Sequence, residues 1–261
     1  MAVRLEKQDA IGHIVLDRPP ANSYDRAFME ELDAAIEEAR KDDSVRAIVV
    51  RSASEKFFSA GADVSVFAKS DLDTQNAFVV CANEAMGKLE STPKVVIAAI
   101  NGHCLGGGFE IALCCDFRIA AEGTYKIGLP EVTLGVLPGT GGTARLGKLI
   151  GKSRAIELMI TGNTFSFEEA YDLGLVNQVI DATAEEWWEQ VMDYARQFVP
   201  PNKASKAVGR IKRSVQSGWD LPLESALAVE RELQQLLFQS EDAKEGIAAN
   251  QEKRVPKFKG K

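Results

Sequence analysis

The chain is poor in histidine and cysteine, the residues that typically hold zinc. Its 261 residues include two histidines, His13 and His103, and four cysteines, Cys81, Cys104, Cys114 and Cys115. No pair of cysteines has C-x-x-C spacing and no His/Cys cluster has zinc spacing, so neither a metal site nor a disulfide framework is expected. The thiols read as buried and free. Long apolar runs are missing as well: none reaches the ~20 residues of a membrane span. An excess of positive charge is also lacking. The formal net charge of −7 argues against general nucleic-acid binding. Met1-Ala2-Val3-Arg4-Leu5-Glu6 carries no apolar signal core, so a cytoplasmic protein is expected. The length suits one large domain, or a core with a smaller appendage.

The informative residues are concentrated between Pro93 and Leu137. Val95 to Ile100 is a β-branched apolar run with the length of a fully buried strand. Asn101-Gly102-His103-Cys104-Leu105 follows, then Gly106-Gly107-Gly108, then the helix formers of Phe109-Glu110-Ile111-Ala112-Leu113. The pattern is strand, tight glycine turn, helix. The first amides of a helix lack internal partners and lie at the positive end of its dipole. Glycines let a ligand oxygen approach those amides, so this turn suits an anionic oxygen. Glu110 stands three residues beyond Gly107, on the same helical face, where a carboxylate can act on whatever Gly107 holds. Glu131, in Gly128-Leu129-Pro130-Glu131, is a second candidate acid.

The rest of the chain alternates strand and helix, the pattern of an α/β core. Ile11 to Leu16 reads as a strand. Asp25 caps a helix whose apolar face is Phe28, Leu32 and Ile36. Ala47 to Val50 is a buried strand, Phe57 to Val64 a glycine-containing loop, and Thr74 to Leu89 a helix stopped before Pro93. A short strand is expected at Phe117 to Ala120, and helices over 141–150, 153–160 and 166–173. Ser166 with Glu169, and Thr183 with Glu186, have capping-box spacing. After Val176 to Ile180 nearly everything is helical. Val208, Ile211 and Val215 share one face of a helix that Gly218 can end. Two further helices are expected over 222–239 and 241–251. Two parts follow: residues 1–200 as the α/β core, and 201–261 as a helical C-terminal region. Gly139-Thr140-Gly141-Gly142-Thr143-Ala144 fits a dinucleotide fingerprint, but Leu137-Pro138 precedes it instead of a strand, so it reads as a tight turn opening a helix.

The run Asn101 to Glu110, with Cys115-Asp116, Leu129-Pro130-Glu131 and the glycine cluster after it, resembles the signature of the enoyl-CoA hydratase (crotonase) family. Phe58-Ser59-Ala60-Gly61-Ala62-Asp63-Val64 resembles the family's first oxyanion-hole segment, and the resemblance runs from about Gly12 to Lys261. It implies a superhelix of β-β-α units, which periodicity alone does not reveal, and a C-terminal helical part that assembles trimers or paired trimers. It implies that the Ala62 and Gly107 amides hold a thioester oxygen, that Glu110 activates water and that Glu131 protonates Cα. Retention of both glutamates favours an enoyl-CoA hydratase, a lyase adding water across a 2,3-double bond. The alternatives are double-bond isomerisation, hydration of a branched or dienoyl substrate, or a non-catalytic acyl-CoA-binding subunit.

No cofactor is implied, since coenzyme A enters with the substrate. Its phosphates call for local basic groups on an acidic protein: Arg18, Lys56 and the tail Lys253 to Lys261, where Phe258 stands among the lysines. Ala60, Gly61, Asp63, Val64 and Gly106 complete the expected binding segment, which in the family curves around the adenine. Phe67, Leu134 and Leu137, with Phe78 at the far end, are the expected acyl pocket. One departure is Tyr24 in Asn22-Ser23-Tyr24, where relatives usually carry a small aliphatic residue.

Overall fold

The computed structural model describes residues 1–261. The chain opens with strands β1 (Val3–Gln8) and β2 (Ile11–Leu16), helix α1 (Arg26–Lys41), strand β3 (Ala47–Ser52) and the short strand β4 (Phe57–Ser59). Helices α2 (Val64–Phe67) and α3 (Leu72–Ser91) lead to β5 (Val95–Ile100), β6 (His103–Leu105), helix α4 (Gly107–Leu113), β7 (Phe117–Ala121) and β8 (Ile127–Gly128). A 3-10 turn (Glu131–Leu134) and helices α5 (Gly142–Ile150), α6 (Lys152–Thr161) and α7 (Phe167–Asp172) precede β9 (Gln178–Ile180). Helices α8 (Ala184–Arg196), α9 (Ser205–Gly218), α10 (Leu223–Phe238) and α11 (Glu241–Glu252) complete the chain.

Two sheets result. The larger has the order β1-β2-β3-β5-β7-β9, parallel except for the β1–β2 hairpin. Its central strands bury both faces, which is why they read as continuous apolar runs. Alternate residues serve two cores: Ile48, Val50, Val96 and Ala98 face α1 and α3, while Val49, Ile97 and Ile119 face Trp187, Val191 and Met192 of α8. Asp25 caps α1 by accepting from the Phe28 amide, and Phe28, Leu32 and Ile36 are all buried beneath it. Each such side chain contributes about 1.5–3 kcal/mol on burial.

The smaller sheet, β4-β6-β8, is wholly parallel. Its three strands therefore end at one edge, and ligands of parallel sheets gather at the carboxyl ends of strands. Beyond β4 lie Ala60 to Asp63, beyond β6 lie Gly106 and Gly107, and beyond β8 lie Pro130 and Glu131. This sheet was not evident in the sequence. Its strands are two or three residues long, too short for any periodicity to register. The expected loop over Phe57 to Val64 accordingly contains β4 and the start of α2, and the hairpin strand β1 adds to the expected set.

Both expected capping boxes are formed, Ser166 with Glu169 and Thr183 with Glu186. All four cysteines are free, and Cys104, Cys114 and Cys115 are buried. Helix α9 is tied to the core by Lys212, whose ammonium lies 2.8 Å from Asp116 and donates to the Lys94 carbonyl. The face expected to carry Val208, Ile211 and Val215 is different in character: Ile211 and Val215 are exposed in the single chain. No residue of α10 is buried.

His13, on β2, is buried against Trp188 with no partner for Nε2. Burial, reinforced by the Arg51 charge, pushes its pKa down to about 4. The unfolded chain therefore binds more protons than the folded one between about pH 6.5 and 4, and stability falls as the pH drops through that window. We expect acid titration to cost up to about 3 kcal/mol through this group. Urea melts of His13→Phe should show a flatter pH dependence there than the parent chain.

Candidate active site

β5 passes the chain through Asn101 and Gly102 into β6, and β6 delivers Gly106 at φ +54° immediately before α4. Only glycine takes that conformation without strain. The turn leaves the Gly107 N–H among the first amides of the helix, which have no acceptor within it. Opposite stands Ala62, bridged in parallel to Tyr24: the Tyr24 N–H donates to Gly61 O (2.9 Å) and the Asp63 N–H to Tyr24 O (2.9 Å). A bridge of this kind uses the groups on either side of Ala62, so the Ala62 amide itself points away from Tyr24. The two segments touch: a Cβ on Gly61 would come within 2.7 Å of Gly107 N. Ala62 and Gly107 thus meet at the wall of one cavity.

That cavity measures about 570 Å³ and is lined by Ala62, Gly107, Glu110 and Glu131, among others. Glu110 sits one turn into α4 and is buried. Its Oε1 accepts from the Thr140 amide (2.9 Å) and the Gly142 amide (2.7 Å), and its Oε2 from the Thr140 hydroxyl. Every neighbour is a donor, an arrangement that suits a carboxylate and fixes its rotamer. The glycine cluster that mimics a dinucleotide fingerprint is therefore a cradle for Glu110. A Cβ on Gly142 would lie 2.9 Å from Glu110 Oε1.

Glu131 is treated oppositely. Both its carboxyl oxygens are buried without a hydrogen-bond partner, and Oε1 approaches Gly106 so closely that a Cβ there would be 3.2 Å away. Burial, with the Glu110 charge adding to it, pushes the Glu131 pKa up to about 7. One carboxyl is surrounded by donors and the other has none, and burial favours the proton on Glu131.

The family model for enoyl-CoA hydratase/isomerase matches residues 6–261. The chain belongs to that family. A probable enoyl-CoA hydratase of Bacillus subtilis is 38% identical over 99% of both chains. The short-chain-enoyl-CoA hydratase of Clostridium acetobutylicum is 37% identical, over 97% of this chain and 95% of its own. A crystal structure of an enoyl-CoA hydratase from Geobacillus kaustophilus superposes with a TM-score of 0.95 at 45% identity, covering 100% of this chain and 97% of that one. The fold is thus the crotonase fold, with its C-terminal helical part.

Within this family fold, the expected residues divide into three groups. Ala60, Ala62, Val64, Gly106, Gly107, Glu110 and Glu131 line the cavity, as do Phe67, Phe78, Leu134 and Leu137 from the expected acyl pocket. Leu134 and Leu137 are more than half exposed, so they form its rim. Gly61 and Asp63 lie just behind it, Asp63 capping α2 by accepting from Ser65. Arg18, Lys56 and Phe258 are not among the lining residues. Arg18 is paired with Asp25 at 2.7 Å, Lys56 stands over the Phe57 ring, and Phe258 folds back on Gly246 of α11. The tail is pinned there because Asp242 accepts from the amides of Lys259 and Gly260. Missed at the sequence level was Thr140 as part of the centre; Tyr24, singled out there as a departure, also lines the cavity. Thr140 was legible only as a turn residue, because its partner lies thirty positions away.

No helix is long and apolar enough to cross a membrane. A larger cavity of about 800 Å³ lies between α9 and the core, lined by Arg40, Arg118, Arg145 and Arg213. It contains no pair of acids of the kind just described: Glu90 is bonded to Arg145 and Asp116 to Lys212.

Proposed function

We propose that the protein is an enoyl-CoA hydratase that adds water across the 2,3-double bond of a trans-2-enoyl-CoA to give the 3-hydroxyacyl-CoA. The observation that carries this reading is the contrast between Glu110, ringed by donors, and Glu131, buried without one. Glu110 takes a proton from water as its oxygen attacks C3. The π electrons move towards C2 and the thioester carbonyl. The Ala62 and Gly107 amides stabilise the resulting enolate oxygen, and each such donor is typically worth about 3–4 kcal/mol. Glu131, protonated near neutral pH, gives its proton to C2. Proton exchange then returns both acids to their starting states. No step requires a cofactor or metal.

The names of relatives agree, since a crotonyl-CoA hydratase of Syntrophomonas wolfei is 34% identical over 97% of this chain. The test is a turnover panel of enoyl-CoA thioesters from four carbons upward, followed by loss of the conjugated-thioester absorbance. Hydration of crotonyl-CoA is expected. Double-bond migration without hydration would give preference to the isomerase reading.

Residues 201–261 serve assembly in this reading. Ile211, Val215, Trp219, Leu223 and Phe238 are exposed along α9 and α10, and clustered exposed apolar side chains mark interaction surfaces. A second and third copy of the chain would cover it, giving a trimer or paired trimers. With Arg18 committed to Asp25, a coenzyme A headgroup would draw on Lys56, on the Ala60 to Asp63 segment, or on the lysine-rich tail of a neighbouring copy.

A further inference from the structure

Tyr24 touches both halves of the amide pair. Its main chain holds the Ala62 segment through the bonds to Gly61 O and from the Asp63 N–H. Its side chain reaches across to the other half. The phenol oxygen fills the space that a Cβ on Gly107 would need, with the ring carbon bearing it 2.5 Å from that point. The ring is fully buried and stacks on Phe78, centroids 5.9 Å apart at 23°. Its hydroxyl lies beside that of Thr140, which is already committed to Glu110, and the residue lines the catalytic cavity.

We propose that Tyr24 is a positioning residue that sets the spacing of the two oxyanion amides, its backbone fixing Ala62 and its phenol oxygen bearing on Gly107. The inference rests on the hydratase reading for its consequence but on geometry for its content. The Gly107 peptide is the first of α4: its carbonyl half, Gly106 O, accepts from the amides of Phe109 (2.8 Å) and Glu110 (3.0 Å), while glycine offers no side chain to hold its Cα side. A neutral phenol, kept protonated by burial and by the nearby Glu110 charge, bears on that side. An aliphatic side chain could pack against Phe78 but would leave the Cα side of Gly107 without the phenol contact. Small displacements matter here, because misplacing a reacting group by ~1 Å can cost 10²-fold.

Tyr24→Phe keeps the ring and its stacking and removes only the oxygen, so it should fold. We expect kcat on crotonyl-CoA to fall on the order of 10-fold, with KM changed less than about 3-fold, since the ground-state carbonyl needs the amides less than the enolate does. The independent readout is spectroscopic. A cinnamoyl-CoA bound to the parent protein should show a red-shifted absorbance from carbonyl polarisation, and Tyr24→Phe should reduce that shift at saturation. Tyr24→Leu should reduce it no less, and the melting temperature reports any loss of fold separately. An unchanged red shift and unchanged kcat in folded Tyr24→Phe would overturn the inference. A parent protein that polarises cinnamoyl-CoA but turns over no enoyl thioester would overturn the hydratase reading instead, leaving the spectral comparison to decide on Tyr24.

Discussion

Replacing Glu110 with glutamine should lower kcat on crotonyl-CoA on the order of 10²–10⁴-fold, the range typical of losing a positioned general base. The substitution is nearly isosteric, but it changes the hydrogen-bonding character of the side chain. Glu110 accepts from two amides and a hydroxyl, whereas a glutamine amide nitrogen is a donor and would face donors at one of those positions. Some local rearrangement of the Thr140–Gly142 turn is therefore expected, along with a modest loss of stability. Glu110→Asp separates the two effects. It keeps the charge but withdraws the carboxylate by one methylene, so it should retain better folding while still losing most of kcat. Full activity in Glu110→Gln would end its assignment as the base.

Glu131→Gln should cost a similar factor in kcat, on the order of 10²–10⁴-fold, but with the opposite effect on stability. In the parent protein the Glu131 pKa is raised to about 7, and in the proposed reaction only its protonated form supplies the C2 proton. The rate on kcat/KM should therefore fall as the pH rises through about 7, and this limb should disappear in the residual activity of Glu131→Gln. For stability, the folded state holds the proton more tightly than the unfolded chain between about pH 4.5 and 7. Stability is thus lost as the pH rises through that window. At pH 8 the native protein carries a buried, unpartnered carboxylate. Removing its charge should raise the unfolding free energy by about 1–2 kcal/mol, after allowance for the part of the group that solvent reaches. A variant that is both slower and more stable is the signature of a strained catalytic acid. Equal melting temperatures of parent and variant at pH 8 would show that solvent compensates the carboxylate.

In the proposed reaction, the contrast between the two glutamates lets one cavity run acid and base chemistry together. It depends on surroundings, not on residue type. Glu110 and Glu131 were both recognisable as candidates from their neighbours in the sequence: one on a helix after three glycines, the other after Leu129-Pro130. Nothing in those strings says that Gly139 to Gly142 folds over Glu110 and leaves Glu131 bare. The same limit applies to Arg18 and Phe258. Each has the chemistry of a ligand contact, but Asp25 is seven residues from Arg18, and Asp242 pins the tail from α11. Such local partners form without regard to what a substrate would need.

The sequence by itself determined the long elements: the buried strands β2, β3 and β5, the capped helix α1, both capping boxes, and the strand–glycine–helix turn that presents Gly107. These follow from burial periodicity and from the stereochemistry of single residues, which act over a few positions. Tertiary structure alone decided the three-stranded sheet that brings Ala62, Gly107 and Glu131 to one edge, the donors given to Glu110 and withheld from Glu131, and the reach of Tyr24 across both amides. Those are contacts between segments far apart in the chain, and the Glu131 proton affinity depends on them because an unpaired buried carboxylate feels its whole surroundings rather than its neighbours in sequence.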